Sequence, residues 1–426
     1  MHGGKRIRST PLARQSLRFV MAITAVAVLV GGCGDTIPGN ARVATPDLST
    51  LDTGKLPTEP ATAPPNDNDT YGRVLESVRM AEYVPNPKTI DPDLVYGGSA
   101  LLPTAGRAAA MVPELSLEPL VVYGMIAGYS VDGTDGGHHA PVPGKSKGLR
   151  LTVLHFRDES IARTAAGQLD AAHGNRNADT VAISVPGYDG AHSHWRPQVP
   201  EQVSTLAHGP FVIVTDVIGQ TTDAAALTAL TTAALSAQLP LLDSFTPTAS
   251  DKLSTLPLDT DGMLRRLLHP SAKWTYPTAY AGDVPGNSTW FERANGSGVV
   301  YGERGTGHLF GRAPKSAEER QKPANIELAA FVNDWWLLRF DTAASARKEH
   351  ARVSEYVKAH VTTVSPPDRV PDSSCFLDPN LPDEDRDTRY FCLVLDGRYW
   401  AQVTAPDERT VKQRAAAQYA LLVRSR

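Results

Sequence analysis

The sequence predicts an α+β protein made of two similar domains, each an antiparallel sheet with helices packed on one face. Two observations lead to this class. A strand followed by an amphipathic helix occurs at 149–172 and again at 333–357, and an apolar hairpin followed by a helix comes after each of them. Antiparallel strands joined to amphipathic helices bury their apolar sides by stacking as layers. The order of elements predicts a two-layer, ferredoxin-like arrangement.

The two strand–helix units have the same form. In "LRLTVLHFRDESIARTAAGQLDAA" the helical part carries apolar residues at i, i+4 and i+8 after an apolar strand. "NDWWLLRFDTAASARKEHARVSEYV" repeats this pattern, with Asp341 or Thr342 as the helix N-cap. The tryptophans Trp290, Trp335 and Trp336 are candidates for an aromatic surface, although alternation along a strand places one of the last two in the core.

The hairpins also correspond. "AHGPFVIVTD" (207–216) and "LDGRYWAQVTA" (395–405) share a glycine, an aromatic residue two positions later, and a strand that ends in Thr. The Asp-Gly pair at 396–397 is a typical type I′ turn, and a His-Gly pair occupies the same corner of the first hairpin. Both downstream helices end in Ala-Gln-x-x-Leu-Leu. We therefore predict an internal duplication.

The N-terminus predicts export. Five basic residues and no acid accompany an eleven-residue apolar run, Val20 to Val30, which is typical of a secretory signal and too short for a transmembrane helix. The run ends in Val-Gly-Gly-Cys, which resembles the bacterial lipobox. The resemblance implies a signal peptide over 1–32, an acylated (palmitate-type) Cys33 as the new N-terminus, and a lipid anchor on the extracytoplasmic face of the cell membrane. The alternative is a short membrane anchor with an incidental cysteine.

The net charge argues against nucleic acid as a partner. The chain has 42 Lys+Arg and 46 Asp+Glu, and loss of five basic residues with the signal lowers its net charge from −4 to −9. No basic cluster or basic amphipathic helix opposes this balance. The expected partners are the membrane, through the lipid on Cys33, and an unknown envelope ligand or protein.

Composition divides the mature chain into three parts. Residues 33–69 are rich in Pro, Thr, Asp and Asn and are predicted to be a flexible tether, whose spaced leucines could dock on the first domain. The remaining length suits two domains, placed at 70–246 and 247–426. No disordered spacer separates these halves, so we expect them to be in contact.

The cysteine count predicts one disulfide. With Cys33 lipidated, Cys375 and Cys392 are left as a pair, and an even remainder in an oxidising compartment favours a bridge. The alternative is two unpaired buried thiols. A metal site at these two residues lacks a second pair of ligands.

Several segments together resemble a known class of proteins. The lipobox, "PDLSTLDTGKLPT", "RVLESVRMAEYVPNP" and "WFERANGSGVVYGERGTGHLF" are similar to secreted two-domain lipoproteins of actinobacteria, of the mycobacterial and nocardial type. That family is of unknown function. The resemblance implies an envelope location and supplies no site residues.

Histidines are the first candidates for chemistry. His138 and His139 lie in one predicted loop and His192 and His194 in another, each with an aspartate nearby, and imidazole with carboxylate can bind zinc. On a strand, His-x-His directs both rings to the same side. Solvated loops are the competing interpretation, and it is the one we favour, so no metal or other cofactor is predicted.

The Gly-rich segment 294–312 is the second candidate. Glycine-rich backbone can cradle phosphate, but here no Gly-Lys-Ser/Thr or G-x-G-x-x-G motif accompanies it, and turns beside strands also explain the glycines. The sequence contains no G-x-S-x-G nucleophile motif. The leading hypothesis is therefore a non-enzymatic envelope module that binds a ligand or partner. The alternatives are a metal-dependent hydrolase that uses the histidine loops and a structural envelope component.

Overall fold

A computed structural model describes residues 45–137, 140–269, 276–281, 296–310, 325–381 and 383–426. In the first domain these form a seven-stranded antiparallel sheet in the order β1-β2-β3-β7-β6-β5-β4. Its strands are β1 (Ser99–Leu101), β2 (Ala127–Thr134), β3 (Gly148–His155), β4 (Val181–Ala182), β5 (His192–Arg196), β6 (Val199–His208) and β7 (Phe211–Ile218). Its helices are α1 (Asp69–Ala81), α2 (Pro87–Ile90), α3 (Ala105–Met111), α4 (Leu117–Val122), α5 (Glu159–Gly174) and α6 (Ala224–Asp243).

The second domain also has a seven-stranded antiparallel sheet, in the order β10-β11-β12-β16-β15-β14-β13, and a two-stranded ladder, β8-β9, precedes it. The strands are β8 (Tyr280–Ala281), β9 (Gly296–Ser297), β10 (Val299–Tyr301), β11 (Ile326–Val332), β12 (Trp335–Phe340), β13 (Thr362–Val364), β14 (Ser373–Leu377), β15 (Tyr390–Asp396) and β16 (Tyr399–Ala405). The helices are α7 (Glu303–Phe310), α8 (Ala343–Lys358) and α9 (Glu408–Arg424). Short 3₁₀ turns occupy Leu48–Thr50, Ser250–Thr255, Leu264–Arg266 and Asp383–Thr388.

The two sheets have the same topology. In each, the third strand leads into a long helix, two strands follow at the sheet edge, and a two-residue hairpin leads into the last helix. The hairpin turns place Gly209 and Gly397 at the first central position with positive φ, but the second central residues, Pro210 and Arg398, do not have positive φ. The hairpins are therefore where the sequence predicts them, and the positive φ at the first central residue alone fits a type II′ turn instead of the predicted type I′. The predicted α+β class and the strand–helix–hairpin–helix order are confirmed.

The arrangement of the helices corrects one detail of the prediction. They cover both faces of each sheet rather than one, so each domain has three layers. On β7, Val212 and Val214 pack in the cluster that contains α5, whereas Val217 packs with α6 on the opposite face. The physical reason lies in the central strands: β7 is buried at every position, and a strand that is apolar on both sides needs cover on both sides.

The same layering explains the adjacent tryptophans of β12. Trp335 packs in the cluster that contains α9, and Trp336 in the cluster that contains the start of α8, so both are core residues. Trp290 lies outside the described residues.

One apolar cluster joins the two domains. It contains Val74 and Tyr129 of the first domain together with Tyr301 and Phe331 of the second. The predicted contact between the halves is therefore present, and it is a shared core.

Residues 45–62, which we name the strap, lie against the second domain. Leu51 is buried in the cluster that contains α9, and Gln413 of α9 donates a hydrogen bond from Nε2 to Asp52 at 3.0 Å. Farther along the chain, Asn66 donates to the carbonyl oxygen of Leu256 at 3.1 Å.

The strap corrects the prediction of a flexible tether over residues 33–69. From Thr45 onwards this segment has defined contacts, and its leucines dock on the second domain instead of the first. Three leucines in an otherwise polar segment bury enough surface to hold it in place. The earlier part of the tether, together with Cys33, lies outside the described residues.

Helix α6 is the helix in the described part of the chain that is long and apolar enough to cross a membrane. Its buried side chains include Leu227, Leu235 and Leu242, which pack on the first sheet.

Candidate functional site

Of the four sequence-predicted histidines, the structure describes His192 and His194. His192 and His194 lie on β5 and face α5 together, as their spacing predicts: a methyl group added at Gly167 would be 3.5 Å from His192, and one at Gly174 would be 3.6 Å from His194. His192 is exposed, whereas His194 is 7% exposed. His138 and His139 lie outside the described residues.

His194 is held between two residues of α5. Its Nδ1 is 2.8 Å from Oδ1 of Asp170, and its Nε2 is 2.8 Å from Nδ1 of His173. Asp170 and His173 are three positions apart in the last turns of α5 and therefore share one face of the helix. The packing of α5 on β5 brings the three side chains together.

The hydrogen bonds set the tautomers of the two rings when both rings are neutral. Nδ1 of His194 then donates to the carboxylate of Asp170, and its Nε2 accepts from Nδ1–H of His173. Burial, together with the neighbouring His194 and Arg176, lowers the pKa of His173 to about 4. His173 is therefore neutral at pH 7, and its Nε2 carries a lone pair.

A small open pocket, with space for about one water-sized group, adjoins this chain of hydrogen bonds. Helix α5 and the loop after it form one side, and β5 and β6 form the other. The polar residues that line it are His173, Asn177, Thr180, His194, Arg196 and Glu201.

Further acids lie behind the pocket on the same face of the sheet. Glu114 accepts hydrogen bonds from Arg150 at 2.7 and 2.9 Å. Asp216 pairs with Arg150 across β3 and β7, and burial with the nearby Glu114 holds its pKa well above the usual range. The pKa of Glu201 is also raised, first by burial and then by Glu114.

The described residues contain no group of three or more His, Cys, Asp or Glu arranged to hold a metal ion. In particular, both ring nitrogens of His194 are already hydrogen-bonded. The prediction that His138, His139, His192 and His194 form no zinc site stays untested, because His138 and His139 lie outside the described residues.

The second domain provides an internal comparison for the pocket. In the first sheet, Ser193 of β5 pairs with Ser204 of β6, and the second sheet pairs Cys375 with Cys392 at the same register position. His194 comes directly after Ser193, as Phe376 comes directly after Cys375, so Phe376 is the counterpart of His194.

The helix N-caps align the other two positions. Asp158 caps α5 and Thr342 caps α8, and the residues 12 and 15 positions after Thr342 are Ser354 and Val357. These are the counterparts of Asp170 and His173. The hydrogen-bonded side chains of Asp170, His194 and His173 in the first domain thus occupy a space that the second domain fills with mainly apolar side chains.

The Gly-rich candidate is occupied by the protein itself. The carboxylate of Glu82 accepts hydrogen bonds from the backbone N–H of Arg304 at 3.0 Å and of Gly305 at 2.6 Å, at the N-terminus of α7. A side chain at Gly302 or Gly305 would come within 3 Å of Glu82. The glycines therefore allow one domain to approach the other, and a carboxylate stands where a phosphate would bind.

Sequence reasoning missed most of the site. Asp170, His173 and Glu201 lie on a helix and a strand that gave only generic amphipathic patterns, and their proximity to His194 comes from packing. The signal that could have found them is the duplication, since a buried histidine aligned with a phenylalanine marks a position where the repeats differ in chemistry.

The N-terminal model of the domain of unknown function DUF7373 matches residues 63–258, and the C-terminal model matches residues 263–425. No curated protein sequence matches the chain. Among solved structures, the extracellular domain of PknH from Mycobacterium tuberculosis is similar at 10% identity and a TM-score of 0.24, with 37% of this chain and 94% of that chain covered.

Proposed function

The chain belongs to the DUF7373 family, whose two domains are of unknown function, and we propose that it is a lipid-anchored, extracytoplasmic binding protein with its ligand pocket in the first domain. The lipobox-like Val-Gly-Gly-Cys supports the anchor, and the resemblance to actinobacterial lipoproteins supports the location.

The disulfide supports the same compartment. The structure joins Cys375 of β14 to Cys392 of β15, the pair that the cysteine count predicts, and both residues are buried. Structural disulfides persist in oxidising environments and are rare in the cytosol.

The observation that carries the binding role is the difference between the two repeats. Buried polar groups cost free energy unless they are fully hydrogen-bonded, and the second domain has Phe376 and Val357 where the first has the two imidazoles. A polar chain that ends in a free imidazole nitrogen beside an open pocket is the arrangement expected of a site that receives a ligand.

A hydrolase is the second candidate, because an Asp–His–His chain could orient His173 as a general base. Two observations disfavour it. The pKa of His173 is about 4, well below the value near the working pH that suits a general base. The described residues also lack a group that could hold a catalytic metal.

Fractionation tests the anchor. In an actinobacterial host, Cys33→Ala should leave the protein as an unprocessed precursor or release it from the membrane fraction. Thr36→Ala, outside the lipobox, is the matched control and should behave as wild type. A Cys33→Ala protein that fractionates and migrates like wild type would refute the lipid anchor.

NMR tests the pocket. A low-molecular-weight extract of the cell envelope should shift the ring signals of His173 in the mature chain and leave those of the exposed His360 unchanged. Equal shifts at both rings, or a shift at His360 alone, would contradict a ligand site at His173.

A further inference from the structure

We infer that the pocket takes a primary ammonium group, held between the imidazole of His173 and the carboxylate of Glu201. This inference rests on the proposed binding function and names the ligand chemistry of that site. It rests on two hydrogen-bond acceptors that line the pocket and have no partner among the described residues.

The first group is an acceptor with a fixed orientation. Asp170 sets the proton of His194, and His194 in turn uses the only N–H of His173, at Nδ1. The remaining nitrogen of His173, Nε2, can accept a hydrogen bond and cannot donate one while the ring is neutral. None of the hydrogen bonds found among the described residues uses it.

The second group is also an acceptor. Glu201 lies on β6 at the wall of the pocket, half-buried, and its carboxylate makes no hydrogen bond or ion pair among the described residues. A partly buried carboxylate without a partner gains from a positively charged donor, which strengthens both the Coulombic attraction and the hydrogen bond.

The surrounding cations compensate this acceptor pair only in part. Arg196 lines the pocket and its charge lowers the pKa of Glu201, but burial outweighs this effect, and the Nε of Arg196 donates to Asp179 at 3.0 and 3.2 Å. Arg150 is engaged by Glu114. Arg176 directs its guanidinium to the carbonyl oxygens of residues 113 and 115, outside the pocket.

The hydroxyl of Thr180 and the amide of Asn177 complete the lining. A ligand with one or more N⁺–H donors satisfies both acceptors, whereas an anion would meet Glu201 at close range. The pocket has space for about one water-sized group, so it suits a single ammonium head and not a drug-sized ligand. An ammonium group of this size occurs in soluble amines and in the ethanolamine headgroup of lipids.

Calorimetric titration of the mature chain at pH 7 tests the inference with three probes: ethanolamine, its neutral counterpart ethylene glycol, and inorganic phosphate. We expect ethanolamine to bind and the other two not to bind. Glu201→Gln should weaken ethanolamine binding at least tenfold. Glu159→Gln removes the same charge from the exposed first turn of α5 and should leave the affinity unchanged, and thermal unfolding of both variants checks the fold.

The source of the ammonium group is tested with vesicles. Binding to vesicles of phosphatidylethanolamine but not phosphatidylcholine, together with weak binding of free ethanolamine, assigns a lipid headgroup; strong binding of free ethanolamine assigns a soluble amine.

Binding of phosphate or ethylene glycol in place of ethanolamine would overturn the ammonium inference and leave the binding function standing. Ethanolamine binding that Glu201→Gln does not weaken, or no binding of ethanolamine in either form, would also overturn it. The binding function itself is tested separately by NMR: it fails if envelope extract does not shift the ring signals of His173.

Discussion

A buried imidazole is tolerated when its ring nitrogens are hydrogen-bonded, and His194 meets this condition through Asp170 and His173. The equivalent space in the second domain is filled by Phe376 and Val357, which need no such partners. The polar version is therefore a property of one repeat and not a requirement of the fold.

A variant that copies the second repeat tests this view. Asp170→Ser, His173→Val and His194→Phe together remove every member of the chain of hydrogen bonds, so no imidazole or carboxylate is left without its partner. We expect the free energy of unfolding in urea to change by less than about 1 kcal/mol or to increase, because replacing a whole polar set by apolar groups is close to neutral.

The single change His194→Phe is the comparison. It leaves Asp170 and His173 without their common partner and should cost about 1–3 kcal/mol. A triple variant that is less stable than this single variant would show that the chain of hydrogen bonds is structural and would remove the argument for a ligand site.

Glu82 is a second residue whose role comes from packing alone. It caps α7 of the other domain, and burial raises its pKa although the N–H groups of Gly305 and Arg304 lower it. Glu82→Ala would leave these two N–H groups without an acceptor, with an expected loss of about 1–3 kcal/mol of stability in urea unfolding.

Glu303→Ala is the matched control for Glu82→Ala. It removes an exposed carboxylate from the same helix end and should cost less than about 0.5 kcal/mol. Equal effects of the two changes would show that the macrodipole of α7, and not the hydrogen bonds to Glu82, stabilises this contact.

At the scale of elements, sequence patterns predicted what is local. The Asp-Gly turn, the N-cap positions and the apolar spacing along α5 and α8 each depend on a few neighbouring residues, and all are found in the structure. The layer of helices on the second face and the docking of the strap depend on contacts between residues far apart in sequence. No local pattern records such contacts, and the predicted helix positions did not reveal them.

The duplication makes a prediction about β5 and β6. Ser193 and Ser204 face each other in the register that Cys375 and Cys392 occupy in the second sheet, and their hydroxyl oxygens are 2.6 Å apart. Changing both serines to cysteine should therefore produce a second disulfide without movement of the backbone. In the entropic model, closing a loop of this length stabilises the domain by about 3 kcal/mol.

Mass spectrometry of unreduced digests and urea unfolding with and without reductant measure this effect. Ser193→Ala/Ser204→Ala is the control for loss of the hydroxyl pair. If the new cysteines remain reduced under oxidising conditions, the two sheets are not in equivalent register at this position.

At the scale of the whole molecule, the domains share one core and place histidines inside it. Nδ1 of His308 in α7 is 3.0 Å from the hydroxyl oxygen of Tyr129 in β2, and both side chains are buried. His155 is buried beside α1, where Glu76 is 3.9 Å away. Burial lowers the pKa of His308 to about 3 and that of His155 to about 4, with a smaller contribution from Arg304 and Arg79 respectively.

These lowered pKa values predict loss of stability in acid. In the unfolded chain a histidine titrates near pH 6.5, so between that pH and about 4 the unfolded state binds protons that the native state does not. The free energy of unfolding is unaffected above pH 6.5 and falls as the pH decreases below it, by up to about 1.4 kcal/mol per pH unit for each histidine.

Urea unfolding at pH 7, 6 and 5 measures this slope, and His308→Gln isolates one contribution. Glutamine can still hydrogen-bond to Tyr129 but does not titrate, so the variant should lose stability less steeply below pH 6.5, by about 1 kcal/mol per pH unit relative to wild type. The exposed His360→Gln should leave the slope unchanged. A slope in His308→Gln equal to that of wild type would mean that His308 is protonated in the native state, and that its contact with Tyr129 tolerates a charge in the shared core.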